Sequence, residues 1–349
     1  MSGPLPRAHG ELLGRATLRA VPEDFVVIEE LGFEPEGEGE HAFLYLEKRG
    51  LNTAELQQRL ADLSGIPLVD ISFSGLKDRH ALTRQWFSVR LAGRPEPDWS
   101  ALEVAGEVRV LDLTRHPRKL RRGVHRGNRF ELHLRDCDAE PEALAARLQC
   151  LREQGVPNYF GEQRFGRGGN TERQARDWAA RSGRRVSRGR RGLYLSALRA
   201  SLFNRLLARR VEAGSWNQLE AGDVGMLHGS RSLFPCPEVD AELARRCASG
   251  DLHPGLPLWG RGKVLQSEAQ WQRQLAWLED DLALCRFLEA QGLQLDWRRT
   301  RLWPDDFSWQ FCDDGGLRLG FSLGPGGYAT SVLAELVDYG DRGEISEQA

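Results

Sequence analysis

The order of strand-like and helix-like segments constrains the fold of this chain more than any other feature. Residues 24–30 and 42–48 are rich in Val, Ile, Phe, Leu and Tyr and read as strands. Between them, 32–39 (Gly-Phe-Glu-Pro-Glu-Gly-Glu-Gly) is a loop. Residues 52–63 carry Leu56, Leu60 and Leu63 at helical spacing, with Asn52 or Thr53 as the N-cap. Strands follow at 87–91, 108–113 and 130–134. The last alternates Phe130, Leu132 and Leu134 with Glu131, His133 and Arg135, which buries one face. Residues 140–153 form a helix stopped by Gly155 and Pro157. Beyond Gly161 helical spacing dominates, at 173–180, along the long basic stretch 193–213, and through 267–290. Segments 217–227 and 251–262, the second rich in Pro and Gly, interrupt that pattern. Strand character returns at 307–312 and 317–323, ahead of a last helix at 329–337. A sheet fed from both ends of the chain, with another segment inserted between, satisfies this order. The expected class is α+β with a mixed, mainly antiparallel sheet.

A length of 349 residues suits about two domains at ~150 residues each. The hydrophobic fraction of 40% and charged fraction of 28% fit a soluble globular protein. No apolar run approaches the ~20 residues that span a bilayer, and residues 1–14 lack the apolar core of a signal peptide. A cytoplasmic protein without membrane attachment is expected. The six cysteines are scattered, with no Cys-x-x-Cys pair and no His at zinc-finger spacing. They read as free thiols in a reducing compartment, with no structural metal. The pairs Asp305-Asp306 and Asp313-Asp314 have no accompanying His or Cys cluster along the chain and read as solvated turns.

Net charge is −2, so overall charge does not announce a polyanion partner, but its distribution does. Residues 23–40 hold eight acids and no Lys or Arg. Residues 115–129 hold seven Lys/Arg and no acid, and 181–191 hold six Arg and no acid. Solvated loops explain such blocks one at a time. Two Arg-rich blocks within a folded chain read better as phosphate-binding patches.

Chemistry concentrates in one segment, Ser72-Phe73-Ser74-Gly75-Leu76-Lys77-Asp78-Arg79-His80-Ala81-Leu82-Thr83-Arg84-Gln85. It sits between an apolar stretch and a strand. A plain connection needs turn residues, not one acid set among three cations. Cations beside an acid favour its charged form, and a carboxylate on a loop held by a scaffold is a candidate nucleophile or base. Local chemistry alone still favours a solvated turn.

The wider sequence reverses that preference. The segment resembles the G-x-K-D-x-x-A-x-T-x-Q signature of the TruD family of pseudouridine synthases. Further matches follow in family order: Pro22-Glu23-Asp24-Phe25-Val26-Val27 with Glu29, Gly127-Asn128-Arg129-Phe130, Pro157-Asn158-Tyr159-Phe160-Gly161-Glu162-Gln163-Arg164-Phe165-Gly166, and Tyr328-Ala329-Thr330-Ser331-Val332-Leu333 followed by Glu335-Leu336. One short motif is weak evidence, whereas five in order across nearly the whole chain are specific.

The resemblance implies a pseudouridine synthase catalytic domain from 1–157 and 305–349, and an inserted α/β TRUD domain at 158–304, with an RNA cleft between them. It implies isomerisation of uridine to pseudouridine in tRNA, at position 13, by a monomer that uses no metal or organic cofactor. Asp78 takes the catalytic position. Phe130 takes the place of an aromatic that stacks on the base, Asn128 that of a residue organising the site, and Phe25 that of a residue near the flipped base. Lys77 joins them as a substrate-binding candidate. The family often has Lys where this chain has Arg19, and either cation pairs with a carboxylate, Arg through a planar fork. It commonly has Arg where this chain has Ala334, so any phosphate contact of that Arg is absent here. Without the family, Phe25 reads as a half-buried strand residue, Asn128 as a turn residue and Phe130 as a core residue, His80 as a local hydrogen-bonding residue, and 158–166 equally as structure or as RNA contact. Thr330 and Ser331 fall at a helix start that can cap with a hydroxyl or hold a phosphate.

Asp78 has three routes open to it: attack at C1′ of the ribose, attack at C6 of the uracil, or removal of a C2′ proton. Two other classes compete. A non-catalytic RNA-binding protein would keep the basic blocks. A carboxylate-pair glycosidase would need a second acid across the bond, and no motif supplies one.

Overall fold

The computed structural model describes residues 4–181 and 185–341. They form two compact units. One, rich in sheet, comprises Leu13–Leu144, Pro304–Gly326 and the chain from Val337. The other comprises the chain up to Leu12, Ala145–Trp303 and Gly327–Leu336. These units are drawn from the chain differently from a simple insertion at 158–304.

The sheet unit contains β1 (Arg15–Leu18), β2 (Phe25–Leu31), β3 (His41–Arg49), α1 (Thr53–Ser64), β4 (Ile71–Phe73), β5 (Leu82–Arg90), β6 (Val108–His116) and β7 (His125–Leu134). Helix α2 (Pro141–Gln154) leads into the second unit, made of β8 (Val156–Pro157), α3 (Asn170–Ala180), α4 (Arg188–Glu212), β9 (Asp223–Leu227), β10 (Leu233–Cys236), α5 (Ala241–Ala248), β11 (Leu252–Leu258), α6 (Glu268–Trp277), α7 (Leu282–Ala290), β12 (Asp296–Arg299) and β13 (Arg301–Leu302). The chain then returns through β14 (Asp305–Phe311) and β15 (Leu317–Leu323), passes α8 (Ala329–Leu333), and ends its described part in β16 (Asp338–Asp341).

The main sheet runs β14-β15-β7-β2-β5-β3-β6, with β4 also on β5. Only β2 and β5 run parallel within it. β1 and β16 pair in parallel as a separate ribbon. The expected mixed, mainly antiparallel sheet is what forms, and β14 and β15 from the far end of the chain complete it beside β7. Helix α1 turns Leu56 and Leu60 onto Leu44, Leu46, Phe73, Phe87 and Trp99, all buried. It stops at Gly65, whose φ of +63° is the left-handed cap that glycine adopts without Cβ strain.

Residues paired in register share a face of a sheet. One face of the main sheet therefore carries Phe321 and Phe130, Asn128 and Glu29, Val27, Thr83 and Lys48, and Leu46 and Gln85. Five of these are polar or charged: Asn128, Glu29, Thr83, Lys48 and Gln85. They form a polar strip in an otherwise apolar face, and the β4–β5 connection that bears Asp78 is anchored on it.

The second unit is less purely helical than its sequence reads. The interrupting segments at 217–227 and 251–262 contain β9 and β11, which join β10 and β12 in an antiparallel four-stranded sheet. Pro254 and Pro257 mask β11, yet both lie in register, against Gly225 and Trp297. The stretch 267–290 is not one helix. It breaks between α6 and α7 because Asp281 turns inward, where it is 6% exposed and pairs with Arg176 at 2.8 Å and Arg205 at 3.0 Å. The last helix covers only Ala329–Leu333, shorter than 329–337. Asp305 and Asp306, read as a turn, begin β14 and are exposed. All six cysteines are free thiols.

Candidate active site

The β4–β5 loop is anchored at nearly every residue. Ser74 Oγ donates to Glu29, and Gln85 Nε2 donates to the Gly75 carbonyl at 2.9 Å. The Lys77 amide donates to Thr53 Oγ1 at 3.0 Å, and that hydroxyl donates to Gln85 Oε1 at 3.1 Å. Lys48 Nζ donates to the Asp78 carbonyl at 2.9 Å and to the Leu51 carbonyl at 2.7 Å. Arg79 Nε donates to the Gly50 carbonyl at 3.2 Å. Asn52 occupies the N-cap position of α1, but its side chain caps nothing. Thr53, the alternative cap, serves the loop instead.

The Asp78 carboxylate emerges from this framework. Its side chain is 40% exposed, and Arg19 NH2 meets Oδ2 at 3.3 Å. Arg19 lies 4.2 Å from the centroid of the Phe25 ring, a cation–π contact, and its backbone is held at φ +58°. Arg19, Phe25 and Asp78 thus meet in one place.

The other candidates surround this group differently. Lys77 is not free to meet a ligand with its charge, because its ammonium is buried against Glu29 Oε2 at 2.7 Å. Glu29 is itself 3% exposed and also accepts from the Trp86 amide at 3.2 Å. Phe130 is 7% exposed, edge-on to Phe25 with centroids 6.2 Å apart and stacked on Phe321 at 5.6 Å. Asn128 is half-buried, and its Oδ1 has no hydrogen-bond partner among the described residues. Thr83 Oγ1 and His125 Nδ1, also on β5 and β7, share that state. Buried polar atoms are nearly always paired, and these three are exceptions.

Electrostatics follow from burial. Desolvation pushes the Lys48 ammonium down to about 8, with Lys77 adding to the drop and Asp78 opposing it. Burial also lowers His125, again helped by the charge of Lys77 and opposed by Glu29. His80, weighed as a proton carrier, is exposed.

The first basic block forms the end of β6, a connection and the start of β7. Arg118, Arg121, Arg122 and Arg126 are exposed there, while Arg115 is paired with Glu96. In the second block, Ser182, Gly183 and Arg184 lie outside the described residues. Arg185, Arg188 and Arg190 are exposed, and Arg191 bonds Gln291. The 158–166 motif is divided: Asn158 and Tyr159 are buried in the second unit, whereas Glu162 and Gln163 are exposed. Asn158 is 7% exposed and bonds the Arg299 carbonyl and the Arg298 guanidinium, and Arg164 bonds Ser196 and the Tyr328 hydroxyl. Ser331 donates to the Tyr159 carbonyl at 3.4 Å, an internal tie.

Lys48 and Thr53 were missed as site residues by sequence reasoning, and Ser74, Gln85 and Glu29 were noted only as parts of motifs. The available signal was register: once β3 pairs β5, Lys48 falls opposite Thr83 on the face carrying Gln85. One expectation needs correction. Asp314 does have His and Cys company, since His133 and Cys312 bring ligand-type atoms within 4.8 Å of it. The sequence hides this because His133 comes from β7, a distant neighbour in the sheet.

The chain matches the family model "tRNA pseudouridine synthase D (TruD)" over residues 14–177 and 170–336. It is 47% identical over 339 residues to a tRNA pseudouridine synthase D of Methylococcus capsulatus, covering 97% of this chain and 96% of that protein. It is equally identical, with the same coverage, to one from Pseudomonas putida. The fold resembles the crystal structure of a Methanosarcina mazei chain described as a candidate tRNA pseudouridine synthase D, with a TM-score of 0.70 at 22% identity over 94% of both chains. A site built around Asp78, two unit-spanning family matches and close relatives along nearly the full length have one reading: the chain belongs to the TruD family of tRNA pseudouridine synthases.

Proposed function

We propose that the uridine-to-pseudouridine isomerisation of the TruD family runs in this enzyme through Asp78, on the uridine at position 13 of tRNA. The observation that carries this reading is the contrast between loop and carboxylate. Backbone and neighbouring side chains of 74–79 are fixed by Lys48, Thr53, Gln85 and Glu29, while the Asp78 side chain remains accessible and is steered by Arg19. Rigid placement of one reactive group is what catalysis by orientation requires.

The reaction exchanges the N1–C1′ bond for a C5–C1′ bond. N1 gains the proton that C5 loses, so there is no net redox change, and the chemistry calls for neither metal nor organic cofactor. A base inside a helix is out of reach, so the uridine must leave the stack first. Phe25 lies under the Arg19 guanidinium that pairs with the carboxylate, and Phe130 packs edge-on against Phe25. The unpaired Oδ1 of Asn128 offers an acceptor for the N3–H of uracil, a donor that cytosine lacks. Lys77 acts through Glu29, as a brace for the loop. Asp78 then engages C1′, C6 or the C2′ proton, and the loop geometry is compatible with each. Exposed arginines at 118, 121, 122 and 126 meet backbone phosphates, which supply most non-specific affinity. The enzyme acts as a single chain in the cytoplasm, where its tRNA substrate resides. No helix among the described residues is long and apolar enough to cross a membrane.

Incubation with unmodified tRNA, followed by mapping of pseudouridine, tests the reading. Wild type forms product at position 13. Asp78→Asn forms none while binding tRNA with nearly unchanged affinity. Product from Asp78→Asn at a near wild-type rate removes Asp78 from the mechanism. Failure of wild type on every tRNA favours the non-catalytic RNA-binding alternative.

A further inference from the structure

We infer that the β14–β15 hairpin and strand β7 together form a divalent transition-metal site, with His133, Cys312 and Asp314 as ligands and zinc as the best-matched ion. The site shares no residue with the β4–β5 loop that bears Asp78. His133 projects from β7, one residue before Leu134, which pairs with Leu317 of β15. Cys312 and Asp314 lie in the turn that joins β14 to β15, closed by the Cys312 amide on the Gly316 carbonyl at 2.8 Å. One nitrogen, one sulfur and one oxygen ligand atom lie within 4.8 Å of one another. A zinc ion with bonds of ~2.0–2.3 Å holds tetrahedral ligands ~3.3–3.8 Å apart, so modest side-chain rotation closes the site. A mixed nitrogen, sulfur and carboxylate set selects zinc over magnesium or calcium.

Three further observations point to a ligand. First, Nε2 of His133 is buried with no hydrogen-bond partner among the described residues. Second, the space in front of it is kept clear by a glycine. A Cβ on Gly316 would stand 2.7 Å from His133 Nε2 and 3.0 Å from Asp314 Oδ1, and the Gly316 amide orients that oxygen at 3.0 Å. Third, the opposite nitrogen, Nδ1, faces the buried Asp24 carboxylate at 3.5 Å. A carboxylate behind a histidine fixes its tautomer and raises its basicity as a metal ligand.

Such an ion would clip the hairpin turn to the strand that carries Asn128 and Phe130. The test titrates reduced full-length protein with Zn²⁺ alone, and with Co²⁺ as a spectroscopic substitute. One equivalent should bind, the Co²⁺ form should show thiolate charge-transfer absorption, and Zn²⁺ should raise the thermal midpoint. Cys312→Ser, a half-exposed turn position that leaves the fold intact, should lose the absorption, the midpoint shift and the equivalent. Asp24→Asn should weaken affinity ~10–100-fold, the usual cost of removing an outer partner of a ligating histidine. Gly316→Ala should block binding. Equal zinc uptake by wild type and Cys312→Ser, or no uptake by wild type, overturns the site.

Discussion

Lys48 gives its ammonium to the main-chain carbonyl of Asp78, 2.9 Å away, and not to the carboxylate. The cation therefore sets where Asp78 sits without competing for its acidic oxygens. A second bond, to the Leu51 carbonyl at 2.7 Å, ties the end of β3 to the same point. Lys48→Met should reduce kcat by ~10–100-fold, the scale expected of a slight misplacement of a catalytic group. KM for tRNA should hardly change, because phosphate contacts are untouched. An unaltered kcat would show that the loop holds Asp78 without this anchor. There is also a pH signature. Below about pH 8 both folded and unfolded chains keep the Lys48 proton, and the cost of burying the charge stands in full. Between about 8 and ~10.4 the unfolded chain holds more protons, so this group makes stability rise with pH. Urea midpoints of wild type and Lys48→Met at neutral and alkaline pH should differ by that rise.

Glu29 and Lys77 are a buried pair at 2.7 Å. Removing one member of such a pair leaves an uncompensated charge and costs ~3–5 kcal/mol. Glu29→Gln should therefore lower the thermal midpoint sharply, and the double change Glu29→Gln with Lys77→Met should recover much of it. Equal loss in the single and double variants would mean that the other bonds of Glu29, to Ser74 and Trp86, dominate.

Phe130 packs edge-on against Phe25, which lies under Asp78's partner Arg19, so one substitution has two readouts. Phe130→Ala should cost ~3–5 kcal/mol through the cavity it leaves. It should also slow single turnover of the protein that remains folded, since a stacked aromatic contributes ~1–3 kcal/mol per base. Phe130→Tyr should keep part of the rate. Normal single turnover by folded Phe130→Ala would confine the residue to packing against Phe25 and Phe321.

Arg118, Arg121 and Arg126 are exposed on or beside the β6–β7 connection. Replacing any one with Ala should weaken binding to all RNAs alike and lower the slope of log K against log salt by about one unit. Filter binding across a salt series measures both. A slope that stays constant would mark the block as solvated charge.

What the sequence revealed and what it hid follow from the range of the interactions. The Asp78 loop announces itself because its chemistry is contiguous, and the two-ended sheet because strand and helix periods differ. Lys48 stays hidden because the strand-like stretch 42–48 does not name its own partner, and only pairing with β5 places Lys48 on the polar strip. His133 and Cys312 meet only across β7, β15 and a turn. Strand β11 is obscured by its own prolines. The break between α6 and α7 depends on Arg176 and Arg205, which no local pattern around Asp281 foretells.

Arg19 holds a left-handed backbone, φ +58°, at the position from which it grips Asp78. A side-chain-bearing residue kept there costs on the order of 1–3 kcal/mol, and only glycine escapes it. Arg19→Gly would thus relieve the strain while deleting the guanidinium. A screen of this enzyme for heat resistance on folding alone would be free to discard the guanidinium that pairs with Asp78, and only an assay of turnover would register its loss.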